Sequence, residues 1–216
     1  MTMADVNEGK NVLLAQLSEE AANCQSCSLS LTRNKVVFGE GNPNAPLVFV
    51  GEGPGQNEDA TGRPFVGRAG ALLDECMREH GITRNHVYIC NVLKCRACIV
   101  ENTRIRNRPP QSDELDACRD WLHRQLTIIK PLVIVCLGAP AANSLIHKDF
   151  KMLKERGKWF DSSPYCRYIV AALHPAYILR QHGEEFDVAR QSLVDDIGAA
   201  RLKVIQAKRE TPSTLF

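Results

Sequence analysis

Apolar residues along this chain recur in two rhythms. Over residues 7–22 they fall at helical spacing, with Val12, Leu13, Leu14, Leu17, Ala21 and Ala22 near one face and Glu19 and Glu20 outside it. Over Leu47–Gly51, Val87–Asn91, Leu132–Leu137 and Arg167–Leu173 they run in short blocks rich in β-branched residues, which predict strands. Leu132–Leu137 has no polar alternation, the pattern of a strand covered on both faces of a parallel sheet. Between the blocks, Arg68–His80, Ser112–Ile129, Ala139–Ile146 and Glu185–Lys208 predict helices. Ser112 reads as an N-cap with Asp113 and Glu114 in the first turn, and Pro131 follows the helix end. Val36–Phe38 reads as a further short strand, ended by the turn residues GEGNPNAP. Strands alternating with helices imply an α/β chain folded as a three-layer α/β/α sandwich, with a mostly parallel four-stranded sheet. A single domain is expected over residues 1–208, followed by a flexible polar tail at 209–216.

Two stretches break this order. Residues 51–67, GEGPGQNEDATGRPFVG, connect a buried strand to a helix, the crossing at which α/β proteins place ligands. Five glycines there imply left-handed backbone or close approach to a ligand, and Glu52, Glu58, Asp59 and Phe65 share the turn. A turn alone explains the glycines and prolines; carboxylates with a bulky aromatic point to a pocket. The second stretch, Arg96–Pro110, is rich in arginine and too long for an ordinary βα connection, which marks it as a functional or disordered loop.

Composition narrows the class. A hydrophobic content of 44% and a charged content of 24% are those of a globular protein, and a net charge of +2 leaves any nucleic-acid contact to local basic clusters. The opening MTMADVNEGK has no apolar core of the secretory kind, and no apolar run approaches the length of a bilayer span, so an intracellular protein without a membrane segment is expected. Nine cysteines, an odd number, argue against a complete disulfide framework and leave buried thiols and metal ligation. Cys24 and Cys27 form a C-x-x-C pair, and Cys95 and Cys118 flank one connection. Four thiolates suit zinc or an iron–sulfur cluster, and spacing does not choose between them. A turn with two free thiols, or a redox pair, is the simpler reading of Cys24/Cys27, and Cys98 could form a second C-x-x-C with Cys95, leaving Cys118 merely buried. Cys76, Cys90, Cys136 and Cys166 lie in apolar patterns and read as core thiols.

Four segments in order, GEGPGQNEDATGRPFVG, NVLKCR, NRPPQSDELDACRDWL and LHPAYILR, resemble a family-four uracil-DNA glycosylase, from about Cys24 to Arg201. The resemblance implies an α/β fold, base-excision repair of uracil-containing DNA, and a [4Fe-4S] cluster held by Cys24, Cys27, Cys95 and Cys118. It implies that Phe65 stacks on a flipped uracil, that Asn91 reads O4 and N3–H, that Glu58 stands against C5, and that His174 donates to O2. Gly53, Pro54, Gly55 and Asp59 belong to the same motif, and Glu52 resembles the acidic residue near the sugar and the attacking water. The residue types suit the reaction: cleavage builds positive charge on the sugar and negative charge on the base, which a carboxylate and a donor at O2 offset. The PAYILR segment, with Tyr177, Ile178, Leu179 and Arg180, resembles the family's DNA wedge, where apolar side chains unstack bases and an arginine holds phosphate.

The chain departs from the pattern in two places. Gly53 stands where better-known uracil glycosylases carry a catalytic aspartate. An insertion between Cys95 and Asn107 is similar to the longer basic loop of a uracil-crosslinking branch, in which a histidine attacks the sugar; here the position is Asn107, so turnover rather than covalent trapping is expected. Arg104, Arg106 and Arg108 are expected to contact phosphate. The expected activity is a monofunctional hydrolase acting on single- or double-stranded DNA as a monomer, with a cytoplasmic, DNA-associated location. The alternatives are a uracil- or damaged-DNA-binding protein with weak or covalent-trapping chemistry and a purely structural iron–sulfur protein. Leu215 and Phe216, after a polar linker, suggest docking on a replication sliding clamp.

Overall fold

A computed structural model describes residues 3–101, 104–161 and 163–210. The chain opens with helix α1 (Met3–Ala22) and a 3-10 turn at Ser28–Leu31. Strands β1 (Glu40–Gly41) and β2 (Leu47–Gly51), helices α2 (Gln56–Thr61) and α3 (Arg68–Arg78), a 3-10 turn at Arg84–His86 and strand β3 (Tyr88–Asn91) follow. Strands β4 (Cys98–Glu101) and β5 (Arg104–Asn107) precede helix α4 (Ser112–Ile129), strand β6 (Val133–Leu137), and helices α5 (Ala139–Leu145) and α6 (Met152–Glu155). Strand β7 (Tyr168–Ala172), helix α7 (Pro175–Ile178) and the long helix α8 (Glu184–Glu210) complete the chain.

The central sheet has the order β1-β3-β2-β6-β7. The four strands expected from the apolar blocks pair in parallel: β2 with β3 and β6, and β6 with β7. A fifth strand, β1, adds antiparallel to the β3 edge through Glu40↔Ile89 and Gly41↔Tyr88. The sheet is therefore five-stranded, and the extra strand lies in the glycine-rich segment read as a turn, whereas Val36–Phe38 is not a strand. A two-residue strand is too short to leave an alternation in sequence.

Strand alternation divides the core into two layers. Leu47 and Phe49 of β2, Ile89 of β3 and Val133, Val135 and Leu137 of β6 face α3 and α8, where Leu73, Met77, Leu193 and Ile197 meet them. Val48, Val50, Tyr88, Cys90, Ile134 and Cys136 face the opposite layer, against Leu14 and Leu17 of α1 and Leu122, Leu126 and Ile129 of α4. This confirms the α/β/α sandwich and explains why Cys76, Cys90 and Cys136 are core thiols: they occupy inward positions and burial raises each thiol above its ordinary pKa.

Three further expectations are corrected. Arg96–Pro110 is not an irregular loop: β4 and β5 pair antiparallel, Ile99 opposite Arg106 and Cys98 opposite Asn107. Gln111, not Ser112, precedes α4; its backbone N–H donates to Glu114 at 2.8 Å, and Ser112 is the first helical residue. The last helix continues through Arg209 and Glu210, which were expected in the tail; residues 211–216, with Leu215 and Phe216, lie outside the described residues. No helix among the described residues is long and apolar enough to cross a membrane.

Candidate active site

A cavity of about 410 Å³ opens at the carboxyl ends of the parallel strands. Its walls come from the connection after β2, the end of β3, and the connection after β7, the edge of the sheet where α/β folds bind ligands. Glu52, Gly53, Pro54, Gly55, Glu58, Phe65, Asn91, His174, Arg108 and Arg180 all line it, which unites residues far apart in the chain.

Asn91 is the last residue of β3 and is 1% exposed, and its Oδ1 has no hydrogen-bond partner. A buried acceptor left unpaired costs about 1–3 kcal/mol, so one lining a pocket is a place for a ligand donor. Gly51 makes the space for it. A Cβ at Gly51 would stand 2.4 Å from Asn91 Oδ1 and 2.6 Å from Phe65 Cζ. Gly51 is paired in register with Asn91, so any side chain there would fill the slot between the amide and the ring.

Phe65 is 5% exposed and adopts φ 52°, a left-handed conformation that is rare for a bulky residue. Its ring lies 5.8 Å from that of His174, with 30° between the planes. His174 caps α7: its Nδ1 accepts from the Ala176 N–H at 3.0 Å. Burial lowers the imidazole to about 4, and the Arg180 charge adds to this while Glu58 opposes it. The ring is neutral, and because Nδ1 is an acceptor the proton sits on Nε2 as a donor.

Glu58 organises the loop around the pocket. Its Oε1 accepts from the backbone N–H groups of Val66 and Gly67, both at 2.8 Å, and its Oε2 accepts from Gly55 at 3.1 Å. Asp59 does not reach the cavity. It is buried on the other side of α2, where it accepts from the backbone N–H of Asn34 at 2.9 Å and from the Asn34 side chain, tying α2 to the segment after the C-x-x-C pair. Successive helical residues point about 100° apart, so neighbouring carboxylates cannot both face one pocket. Burial raises the Glu52 carboxyl above its ordinary value, and Arg180 opposes that rise.

The expected DNA-contact residues divide. Tyr177 is 42% exposed and the Arg180 guanidinium lies 5.9 Å from its ring centre. Ile178 is fully buried in the α3–α8 core layer, and Leu179 is partly buried and packs against that layer. Arg106 is exposed on β5, and Arg104 stands opposite Glu101 in the ladder. Arg108 is committed elsewhere: Nη1 donates to Glu114 Oε2 at 2.8 Å and Nη2 to Oε1, and the Glu114 side chain is wholly buried. Asn107 lines the cavity, and its Oδ1 accepts from Arg96 Nε at 2.7 Å.

Cys24, Cys27, Cys95 and Cys118 line a second, small cavity together with Arg33, Lys94 and Trp121. Cys98 is on β4 and is not part of it. The sulfurs sit among donors and cations: Trp121 Nε1 to Cys24 and the Lys94 backbone N–H to Cys118, each at 3.3 Å, and Arg33 Nη1 to Cys95 at 3.5 Å. Burial acts to raise the Cys24 thiol, but bonds with Ser26 and Trp121 and the Arg33 charge leave it lowered. Among the described residues no three ligating side chains converge on a single ion.

Lys94 and Gln125, both buried polar residues, had no role assigned from the sequence. Lys94 is buried beside the cysteines, and its ammonium donates to the Asn91 carbonyl at 2.9 Å and to Gln125 Oε1 at 2.7 Å. Gln125 in turn donates to the Phe38 carbonyl and the Tyr88 hydroxyl, each at 3.0 Å. The signal available was a lysine inside the otherwise apolar NVLKC.

The chain belongs to the uracil DNA glycosylase superfamily, whose family model matches residues 38–198. Within it, the similarity is to the type-4 enzymes. The chain is 44% identical to the type-4 uracil-DNA glycosylase of Thermotoga maritima over 193 residues, covering 88% of this chain and 93% of that one. It is 41% identical to the Archaeoglobus fulgidus type-4 enzyme, covering 77% of this chain and 83% of that one. Identity to the Sulfurisphaera tokodaii type-4 enzyme is 38%, covering 92% and 88%.

Proposed function

We propose that this chain removes uracil from DNA by hydrolysing the N-glycosidic bond, as its type-4 relatives are named for doing. The observation that carries the reading is the convergence of Phe65, Asn91 and the neutral, Nε2-protonated His174 on one cavity. Uracil turned out of the stack would lie against Phe65, give its N3–H to the unpaired Asn91 oxygen and receive Nε2–H of His174 at O2. As the bond breaks, the electron pair passes to the base, where the His174 donor meets the growing negative charge; water adds at C1′ and its proton ends on the departing uracil anion, leaving neutral uracil and an abasic site. Glu52 is the carboxylate placed to offset positive charge on the sugar and orient that water. Glu58 is the acidic wall of the pocket, with its loop held rigid by the three amides it accepts from.

Cys24, Cys27, Cys95 and Cys118 would hold a [4Fe-4S] cluster. When bound, that group supplies a cross-link between the segment after α1, the connection after β3 and the middle of α4. Tyr177, Arg180 and Arg106 would meet the DNA backbone and the gap left by the flipped base, with the protein acting as a monomer. Asn107 offers no nucleophile of the crosslinking kind, since a carboxamide has no basic nitrogen.

The test is a labelled uracil-containing oligonucleotide incubated with anaerobically purified protein, then divided between hot alkali and a denaturing gel without alkali. Strand scission only after alkali is expected, together with a rate loss of at least tenfold in Glu52→Gln at retained DNA affinity. A retarded, detergent-resistant band would mean covalent capture. No change in either lane would favour a binding protein.

A further inference from the structure

The left-handed backbone of Phe65 needs an external restraint, because relaxing it would carry the ring out of the slot beside Gly51. Arg84, in the 3-10 turn before β3 and outside the cavity lining, grips that backbone. Its Nη2 donates to the Phe65 carbonyl and its Nη1 to the Pro64 carbonyl at 3.0 Å. The rest of the fork is held by two carboxylates: Nη1 donates to Glu40 at 2.7 Å, and Nε to the two oxygens of Asp74 at 2.9 and 3.1 Å. Glu40 comes from the short edge strand β1 and Asp74 from α3, so two elements fix the angle of the guanidinium. Gly70 closes the other side, since a Cβ there would stand 1.7 Å from the Phe65 carbonyl oxygen. The following amides, Val66 and Gly67, are held by Glu58.

The geometry points to Arg84 as a positioning residue for the base-stacking aromatic: fixed by Glu40 and Asp74, its planar fork holds the Pro64–Phe65 carbonyls so that the Phe65 ring faces the pocket. This rests on the reading of the cavity as a uracil site. A lysine would keep the charge but cannot span two carbonyls and two carboxylates from one ammonium. Without the fork, the backbone of Phe65 has a lower-energy alternative and the stacking face is occupied only part of the time.

The experiment measures kcat/KM on uracil-containing DNA, affinity for abasic-site DNA and melting temperature for full-length wild type, Arg84→Gln, Arg84→Lys, Phe65→Leu and the Phe65→Leu/Arg84→Gln double variant. Both Arg84 variants should lose at least tenfold in kcat/KM while abasic-site affinity stays within twofold. In the Phe65→Leu background the Arg84 change should add less than threefold, because it acts through the ring. An equal fall in abasic-site affinity, full recovery by lysine, or an undiminished effect without Phe65 would overturn the inference and leave Arg84 as a staple between β1 and α3. If Arg84→Gln does not fold, Asp74→Asn loosens the fork with Arg84 in place and should cost several-fold in kcat/KM; unchanged activity in folded Asp74→Asn overturns the proposal. Wild type that cleaves no uracil DNA would instead overturn the uracil reading itself, and with it the purpose assigned to Arg84.

Discussion

Burial sets the hydrogen-bonding state of both His174 and Asn91. The Ala176 N–H occupies Nδ1 of His174, and burial depresses its proton affinity to about 4 from an ordinary 6.5. Above pH 6.5 both folded and unfolded chains carry a neutral ring, and the stability linked to it is fully present. As pH falls from 6.5 towards 4 the unfolded chain takes up a proton that the folded chain refuses, so stability is lost by about 3 kcal/mol across that window. Denaturation midpoints at pH 7 and pH 4.5 should therefore differ less in His174→Asn than in wild type; equal slopes would remove this account of the ring. Asn91 carries the opposite kind of tension, an acceptor buried without a partner. Asn91→Ala should cost roughly 1–3 kcal/mol in binding a uracil nucleotide, by loss of one or two pocket hydrogen bonds, yet leave the melting temperature unchanged or higher. A large fall in melting temperature would mean that the amide is structural. The pocket aromatic and amide were legible because their motif surrounds them; the tautomer of His174 was not, because it depends on which backbone N–H the next turn presents.

At the scale of elements, the segment between Cys95 and α4 is the most informative. Its length and arginines made it look like a functional or disordered loop, but Cys98–Glu101 and Arg104–Asn107 pair as strands, with Val100 opposite Ile105. The strand pair is anchored on α4 by Arg108 and the buried Glu114, and its base is closed by the Arg108 N–H donating to the Ala97 carbonyl at 3.0 Å. Hydrogen bonds from Arg108, against the opposing effect of burial, hold the Glu114 carboxyl below its ordinary range. Arg108→Met would leave that buried carboxylate without its counter-charge, with the Gln111 N–H still donating to it, and should destabilise the fold by about 3–5 kcal/mol, read as a fall in the urea midpoint at pH 7. The double change Arg108→Met/Glu114→Leu should recover most of the loss; a single variant as stable as wild type would show that the pair carries no such weight. Helix α7 gives the converse lesson. PAYILR reads as an exposed wedge in sequence, but the helix rotates Ile178 into the core and leaves Tyr177 and Arg180 outside.

At the scale of the whole molecule, four cysteines from three separate regions meet at one end of the sheet, next to Lys94, which reaches the backbone of Asn91. The proposed cluster therefore joins the start of the chain to the floor of the pocket. Cys95→Ser should lose iron and acid-labile sulfide, and amide exchange should quicken over α1 and residues 24–35 more than over β2, β6 and β7. Cys98→Ser should retain both iron and sulfide. Loss of iron in Cys98→Ser with retention in Cys118→Ser would restore the alternative pairing of Cys95 with Cys98.

The four parallel core strands, the long helices packed on them and the glycine-rich turn over the pocket were determined by the sequence alone, because apolar periodicity and backbone permissiveness are local properties. So was the family resemblance, carried by short segments whose side chains act together. The tertiary structure alone decided which neighbouring residues face the same way. Glu58 points to the pocket and Asp59 away from it; Arg108 is spent on Glu114 while Arg106 stays free; a two-residue strand brings Glu40 to Arg84. These outcomes depend on packing between segments far apart in the chain, where one partner's position sets the other's orientation and no local pattern records the result.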